Sequence, residues 1–311
     1  MSAPGAVLAL RALGLGDLVT SVPALRALRR SFPDRRLLLA CPRPLHGLVR
    51  LWRLADEPVD ARPLERVPLE PTERVEVAVN LHGRGPQSTE RLLETRPGRL
   101  VAFAHDAVPS TAELPAWDAE EHEVVRWCRL LAECGIPADP DALELPVRGG
   151  DASSGAVVVH PGAAAPARRW PASRWAAVAR VLRDEGHEVV LTGSRAERPL
   201  CARVAGAAGL SAESVLAGDT SLVELAALVG RARAVLCGDT GVAHLATALA
   251  IPSVVVFGPT SPARWGPRPA RDRHRVLWAG TTGDPHGERP DPGLLEIGVA
   301  DVVLAAREVL D

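Results

Sequence analysis

Runs of four or five apolar residues, separated by stretches with helical spacing, recur along the 311-residue chain. They are too short for helices, and they lack the apolar–polar alternation of a half-exposed strand. Such runs describe parallel strands buried on both faces. Ala6 to Arg11 is the first, followed by a glycine pair and a helical stretch from about Leu18 to Arg30, where Val22, Leu25 and Leu28 fall on one face. Strands are expected at Arg36–Ala40, Val75–Leu81 and near Arg99–Phe103, and helices at Leu45–Leu54 and Ala119–Cys134. The stretch Gly135 to Ser154, rich in Pro, Asp and Gly, reads as a linker.

A second alternation starts at Ala156. Strands at Ala156–His160, Glu188–Thr192, Ala234–Cys237 and Ser253–Phe257 are expected, with helices at Pro171–Glu185 and Val242–Ala250 and an amphipathic helix at Asp301–Leu310. Two such arrays predict two doubly wound α/β domains, residues 1–150 and 151–311. In sheets of this kind ligands bind beyond the carboxyl ends of the strands, so those loops are where chemistry is sought.

Composition narrows the function classes. All 36 basic residues are Arg, against 38 acidic ones, for a net charge of −2. The absence of Lys excludes Schiff-base chemistry and the P-loop lysine, and the charge balance gives no field for nucleic acid. Five scattered cysteines form no CxxC or Cys/His cluster, so no disulfide framework or zinc site is expected. No apolar run approaches the roughly 20 residues of a membrane helix, and the first ten residues lack a signal-peptide pattern. The expectation is a reduced, cytoplasmic protein.

The first strand ends in Leu13-Gly14-Leu15-Gly16-Asp17. Gly14 and Gly16 allow a tight turn, and Asp17 reads either as a helix cap or as a carboxylate able to accept a proton. A dinucleotide fingerprint would need glycine at position 19, which is Val. His82 and Arg84 follow another strand end, in either a hydroxyl-binding cluster or a plain glycine-rich turn. Arg168 and Arg169 precede a helix and read as an anion site or a solvated charge pair. Glu197 suits ribose hydroxyls or a helix start. The most particular signal is Gly238-Asp239-Thr240-Gly241-Val-Ala-His244, which follows a buried strand and opens a helix with Asp239 as its expected cap.

Three stretches carry a resemblance: "ALGLGDLVTSVPALRALRRSFP", "VVVHPGAAAPARRWPASRWAAVA" and "LAGDTSLVELAALVGRARAVLCGDTGVAHLATALAIPSVVVFGPTSPARWGP". Through them the chain resembles glycosyltransferase family 9, the ADP-heptose heptosyltransferases, strongly over residues 6–33 and the last stretch and weakly over 42–150. The resemblance implies a GT-B fold, two Rossmann-like domains facing across a cleft. The N-terminal half would hold the acceptor and the C-terminal half the nucleotide-sugar, with the terminal helix returning toward the N-terminal domain. It also implies an inverting enzyme without metal or cofactor. By position, Asp17 would be the general base. Asp239, Thr240, Gly241 and His244 would hold diphosphate and sugar, with Arg168 in place of the family's phosphate-binding Lys and Arg169 beside it. Thr220, Ser221 and Leu222 match the "TSL" element near the adenine, and Glu197 the ribose-binding Glu. Gly14, Gly16, His82 and Arg84 fall on the acceptor side.

The implied donor is an ADP-heptose. The implied acceptor is a glycan such as lipopolysaccharide core, or a natural-product glycoside, with at most peripheral membrane contact. Two rival readings are a non-catalytic nucleotide-sugar-binding or partner subunit and a Rossmann oxidoreductase. The intact Asp17 and Asp-Thr-Gly-x-x-His element weigh against the first. The missing third glycine and the lack of an acidic residue ending the second strand weigh against the other.

Overall fold

In a computed structural model of the chain, the described residues are 5–146, 155–268 and 272–311. The later part of the expected linker and the expected boundary at 150 lie outside them. The chain divides into two compact units, Met1–Leu143 and Glu144–Asp311.

The first unit is built on a parallel sheet of β1 (Ala6–Leu10), β2 (Leu37–Cys41), β3 (Glu57–Asp60), β4 (Val75–Asn80) and β5 (Arg99–Val101), in the order β3-β2-β1-β4-β5. In the register, Val7 of β1 lies between Leu37 and Val77. β1 and β2 are buried along their whole length, as their uninterrupted apolar sequences require. Leu8, Leu10, Leu38 and Ala78 lie in a common core cluster. The strand order reverses direction between β1 and β4, which is the switch point of a Rossmann-type half.

The helical stretch expected from Leu18 to Arg30 is instead two helices, α1 (Leu15–Thr20) and α2 (Val22–Ser31). The break has a local cause. The Ser21 hydroxyl donates to the Leu18 carbonyl at 2.7 Å, and Pro23 has no N–H to continue the ladder. Helix α3 (His46–Leu51) is shorter than expected, because Arg53 turns into the left-handed region at φ 52°. α4 (Gln87–Leu93) and α5 (Glu123–Glu133) follow, and α5 starts at Glu123 rather than Ala119, with His122 Nδ1 accepting the Val124 N–H at 3.2 Å. Strand β3 was not expected from sequence. Its sequence is Glu-Pro-Val-Asp, which an edge position tolerates and a central one would not.

The second unit carries β6 (Val157–His160), β7 (Val189–Leu191), β8 (Ala234–Gly238), β9 (Ser253–Val256) and β10 (His274–Leu277), again parallel, in the order β10-β9-β8-β6-β7. Counted within the unit this is the flavodoxin-like order, the other common doubly wound arrangement, beside the Rossmann order of the first unit. Its switch point lies between β6 and β8. The helices are α6 (Ala172–Asp184), α7 (Arg198–Ala208), α8 (Leu222–Gly230), α9 (Gly241–Ala248), α10 (Pro262–Trp265), α11 (Pro292–Glu296) and α12 (Val299–Leu310). The terminal helix α12 lies against α6 and against β8, β9 and β10 of its own unit.

The core of this unit gathers Val157, Val159, Leu236 and Val254 from the strands with Trp170 and Trp175. The two indoles meet edge to face, with centroids 4.9 Å apart. Trp170 Nε1 donates to the Ile297 carbonyl at 3.1 Å, whereas the buried Trp175 Nε1 has no acceptor. Trp175→Ala is therefore expected to cost the unit about 3–5 kcal/mol through the cavity it leaves. Trp175→Phe should cost much less, because it also removes an unsatisfied N–H. Urea unfolding followed by circular dichroism checks both, and equal midpoints for the two variants would contradict this packing.

Candidate functional site

In the first unit, chemistry collects where β1 and β4 end. Arg11, one residue beyond β1, is only 1% exposed. A permanent charge is tolerated there only if its donors find acceptors. Nε donates to the Asp17 carbonyl at 2.9 Å, and Nη1 donates to the Leu81 carbonyl. Nη2 reaches Asp17 Oδ1 at 3.1 Å, Thr20 Oγ1 at 3.3 Å and Glu123 Oε1 at 2.8 Å. The guanidinium also lies over the Trp127 ring, 4.9 Å from its centroid.

One of the two readings of Asp17 was a helix cap. The cap is Gly14, and Asp17 is the third residue of α1, from where its Oδ2 accepts the Gly14 N–H at 3.1 Å. Two glycines make the turn short enough for the carboxylate to reach back. Each carboxylate oxygen is thus held by one donor, and the side chain stays 26% exposed, with lone pairs left for a further hydrogen bond.

His82 lies in the loop after β4, anchored on both sides. Its Nδ1 accepts the Ala12 N–H at 3.2 Å, and its own N–H donates to Asn80 Oδ1 at 3.0 Å. Asn80 is fixed in turn by Ser88 and Thr89. Burial, and then the charge of Arg11, pull the imidazole down to about 4, against the opposite pull of Asp17. It is neutral at pH 7, and with Nδ1 accepting, Nε2 carries the proton as a donor. Arg84 is exposed in the same loop.

Glu123 completes this cluster. Burial raises its pKa, but Arg11, Arg126 and the Trp127 indole outweigh burial and hold it below the usual carboxylate range. Arg126 pairs with its other oxygen, and Trp127 Nε1 donates to Oε1 at 2.9 Å. Sequence reasoning missed Arg11, Glu123 and Arg126. The available signals were an Arg ending an apolar run before a glycine turn, and an acid–base pair at i, i+3 followed by Trp.

In the second unit the loops after β6 and β8, neighbours in the sheet, bring Arg168, Asp239, Thr240 and Gly241 together. Arg168 ends the 3-10 turn Pro166–Arg168, and its Nη1 stands 4.0 Å from Asp239 Oδ2 and 3.5 Å from the Asp239 carbonyl. Its buried Nε has no acceptor. Burial pushes Asp239 up to about 6, while Arg168 and the Thr260 hydroxyl pull the other way. The cap of α9 is Thr240, not Asp239 as expected. Its buried hydroxyl lacks an oxygen or nitrogen partner and meets the Cys237 thiol. Two buried polar groups without an oxygen or nitrogen partner, beside the first amides of α9, form an incomplete set, of the kind an anion completes.

Arg169 differs from its neighbour, since its Nε is engaged by the Ala163 carbonyl at 2.8 Å. His244, in the first turn and a half of α9, packs its ring on Trp265 at 5.7 Å. Glu197 Oε2 accepts both the N–H and the hydroxyl of Ser194, each at 2.8 Å. A Cβ at Gly162 would come within 2.0 Å of Glu197 Oε1, so glycine is what lets the β6 and β7 loops touch. Ser221 caps α8 by accepting the Glu224 N–H at 3.2 Å, and Glu224 accepts the Ser221 N–H at 2.7 Å. Half-buried Thr220 and Leu222 flank it. This segment adjoins the β7 loop through the Gly218 N–H, which donates to the Gly193 carbonyl at 2.9 Å.

Among the described residues, no helix is long and apolar enough to cross a membrane, and no three His, Cys, Asp or Glu side chains gather as a metal site.

Solved structures resemble the whole chain. E. coli ADP-heptose lps heptosyltransferase II aligns with TM-score 0.78 and 23% identity over 98% of both chains. A family 9 glycosyl transferase from Veillonella parvula aligns with TM-score 0.79 and 18% identity, covering 98% of this chain and 97% of the other. E. coli heptosyltransferase WaaC with ADP aligns with TM-score 0.69 and 18% identity, over 97% and 99%. These likenesses identify the two parallel-sheet units as a GT-B fold. No curated protein matches the chain in sequence. The family profile described as Glycosyltransferase family 9 (heptosyltransferase) matches residues 115–292, a span that carries both Glu123 and the Arg168–Asp239 loops. With more than half of its length in that match, the chain belongs to the heptosyltransferase family and is a glycosyltransferase.

Proposed function

We propose that the protein transfers a heptose from an ADP-linked donor to an acceptor hydroxyl, inverting the anomeric centre without a metal. The observation that carries the reading is the Asp17 carboxylate, fixed by Arg11 and the Gly14 N–H yet open on one side. The acceptor hydroxyl gives its proton to Asp17 as its oxygen attacks the anomeric carbon. The bond from that carbon to the diphosphate oxygen breaks on the opposite face, and the leaving group takes the electron pair. The negative charge growing there is met by Arg168, whose Nε has no other acceptor, and by the first amides of α9. In this reading Glu197 and the Thr220–Leu222 segment border the nucleoside, and His82 donates to the acceptor.

The ADP donor is inferred from the family and from the E. coli relative solved with ADP. A glycan or natural-product glycoside is the proposed acceptor class. A cytoplasmic enzyme, with at most peripheral membrane contact, fits five cysteines of which none is in a disulfide.

Asp17→Asn should abolish turnover while leaving ADP affinity in calorimetry unchanged, because the base and the phosphate site lie in different units. Normal turnover in that variant would remove Asp17 as the base, and full activity in excess EDTA is expected if no metal takes part. ADP-sugars, rather than GDP-, UDP- or TDP-sugars, should raise the melting temperature. Arg168→Ala should lose most of that shift and about a hundredfold in rate. Arg168→Lys should recover only part of both, since an ammonium cannot grip two phosphate oxygens.

Asp239 yields a prediction of opposite sign for stability. Its folded pKa of about 6 lies above the ordinary carboxylate value, so its favourable contribution is present below about pH 4 and is lost as pH rises through 6. Asp239→Asn should therefore stabilise the ligand-free protein at pH 8 by about 3 kcal/mol, with little effect at pH 4, while transfer falls. Thermal melts across that range check it, and a variant less stable at pH 8 than at pH 4, relative to wild type, would refute it.

A further inference from the structure

Asp17 and Glu123 are 106 positions apart in the sequence, yet both bond to one nitrogen, Nη2 of Arg11, at 3.1 and 2.8 Å. Glu123 lies on α5 and is itself held by Arg126 and Trp127. Arg126 is anchored further, by the Glu121 carbonyl at 2.7 Å and the Asp118 carbonyl at 3.0 Å, and it lies over the Trp117 ring at 4.3 Å. The order of charges is Asp17, Arg11, Glu123, Arg126, alternating in sign. The three inner members are buried, and only Asp17 reaches solvent.

We infer that Arg11 is a positioning residue for the base and that Glu123 holds Arg11 in place. This rests on the reading of Asp17 as the base.

The geometry separates this role from mere packing. Arg11 grips both the backbone carbonyl and the side chain of Asp17, so it sets the position of the residue as well as the direction of the carboxylate. A lone ion pair at the surface would be worth little. Here the guanidinium cannot rotate away, because Leu81, Thr20 and Glu123 take its remaining donors. The charged groups facing Asp17 are Arg11 from the end of β1, Glu123 with Arg126 behind it from α5, and His82 from the β4 loop, neutral near pH 7.

The test is the single-turnover rate of sugar transfer for Arg11→Met, Arg11→Lys and Glu123→Gln, with acceptor KM, ADP binding and melting curves measured in parallel. Arg11→Met should lower the maximal rate about a hundredfold, with acceptor KM and ADP affinity unchanged. Arg11→Lys should recover only part of the rate, because one ammonium cannot replace a fork that reaches Asp17, Leu81, Thr20 and Glu123 at once. Glu123→Gln should lower the rate, again with acceptor KM and ADP affinity unchanged. If Arg11→Met unfolds the protein, the losses of rate in Arg11→Lys and Glu123→Gln at unchanged acceptor KM still decide the question. Folded Arg11 and Glu123 variants with wild-type rate would overturn the positioning role while leaving the base intact. Turnover in Asp17→Asn would instead overturn the base itself.

Discussion

A parallel sheet covered on both faces has nowhere to carry polar chemistry except its strand ends, and both units obey this constraint. β1, β2, β6 and β8 are buried along their whole length, so His82, Arg168 and Asp239, in loops, and Asp17, in the first turn of a helix, all lie past a carboxyl edge. A charge in that position lies at the border of a low-dielectric interior, where it interacts strongly with its neighbours and is costly when unpaired. How each unit handles that border distinguishes them.

In the first unit, compensation is complete without a ligand. Burial alone would raise the Glu123 pKa, but Arg11, Arg126 and an indole N–H reverse that effect. Arg11 in turn has an acceptor for each nitrogen. In the second unit, compensation is partial. Arg168 stands at 4.0 Å from Asp239, with a buried nitrogen unbonded, and burial prevails so that Asp239 rises to about 6. Under the proposed function, the first site offers a fixed carboxylate to a neutral hydroxyl. The second offers incompletely bonded groups that an incoming diphosphate would complete, since its oxygens suit the vacant donors. In that reading, preorganisation belongs where a proton is taken, and an incomplete set where charge arrives and must later leave.

The central strands were legible because burial on both faces leaves an unbroken apolar run. The edge strands β3 and β10 were not, because one-sided pairing relaxes that demand: Glu-Pro-Val-Asp and His-Arg-Val-Leu carry no such run. Single-residue chemistry explains the other differences. Ser21 and Pro23 split a helix whose apolar spacing runs straight through the break. Asp17 and Asp239 looked like caps from their place before a helix, whereas Gly14 and Thr240 hold those positions. Candidate motif residues could be singled out because glycine turns and helix starts mark them locally. Arg11 and Glu123 escaped because their significance lies in a contact between distant parts of the chain, and no periodicity records it.

The lack of Lys, read from sequence as composition, acquires a physical consequence in this setting. A lysine buried at position 11 would escape the low dielectric by losing its proton, and its three donors radiate from one atom. A guanidinium keeps its charge at any pH a folded protein meets, so the field at Asp17 is permanent. Its fork also spans a backbone carbonyl, two carboxylates, a hydroxyl and a second carbonyl at once. At Arg168 the same fork leaves Nε idle until an acceptor arrives. One residue type thus serves as a closed hub in the first unit and an open grip in the second. What decides between the two is the number of acceptors the surrounding loops supply.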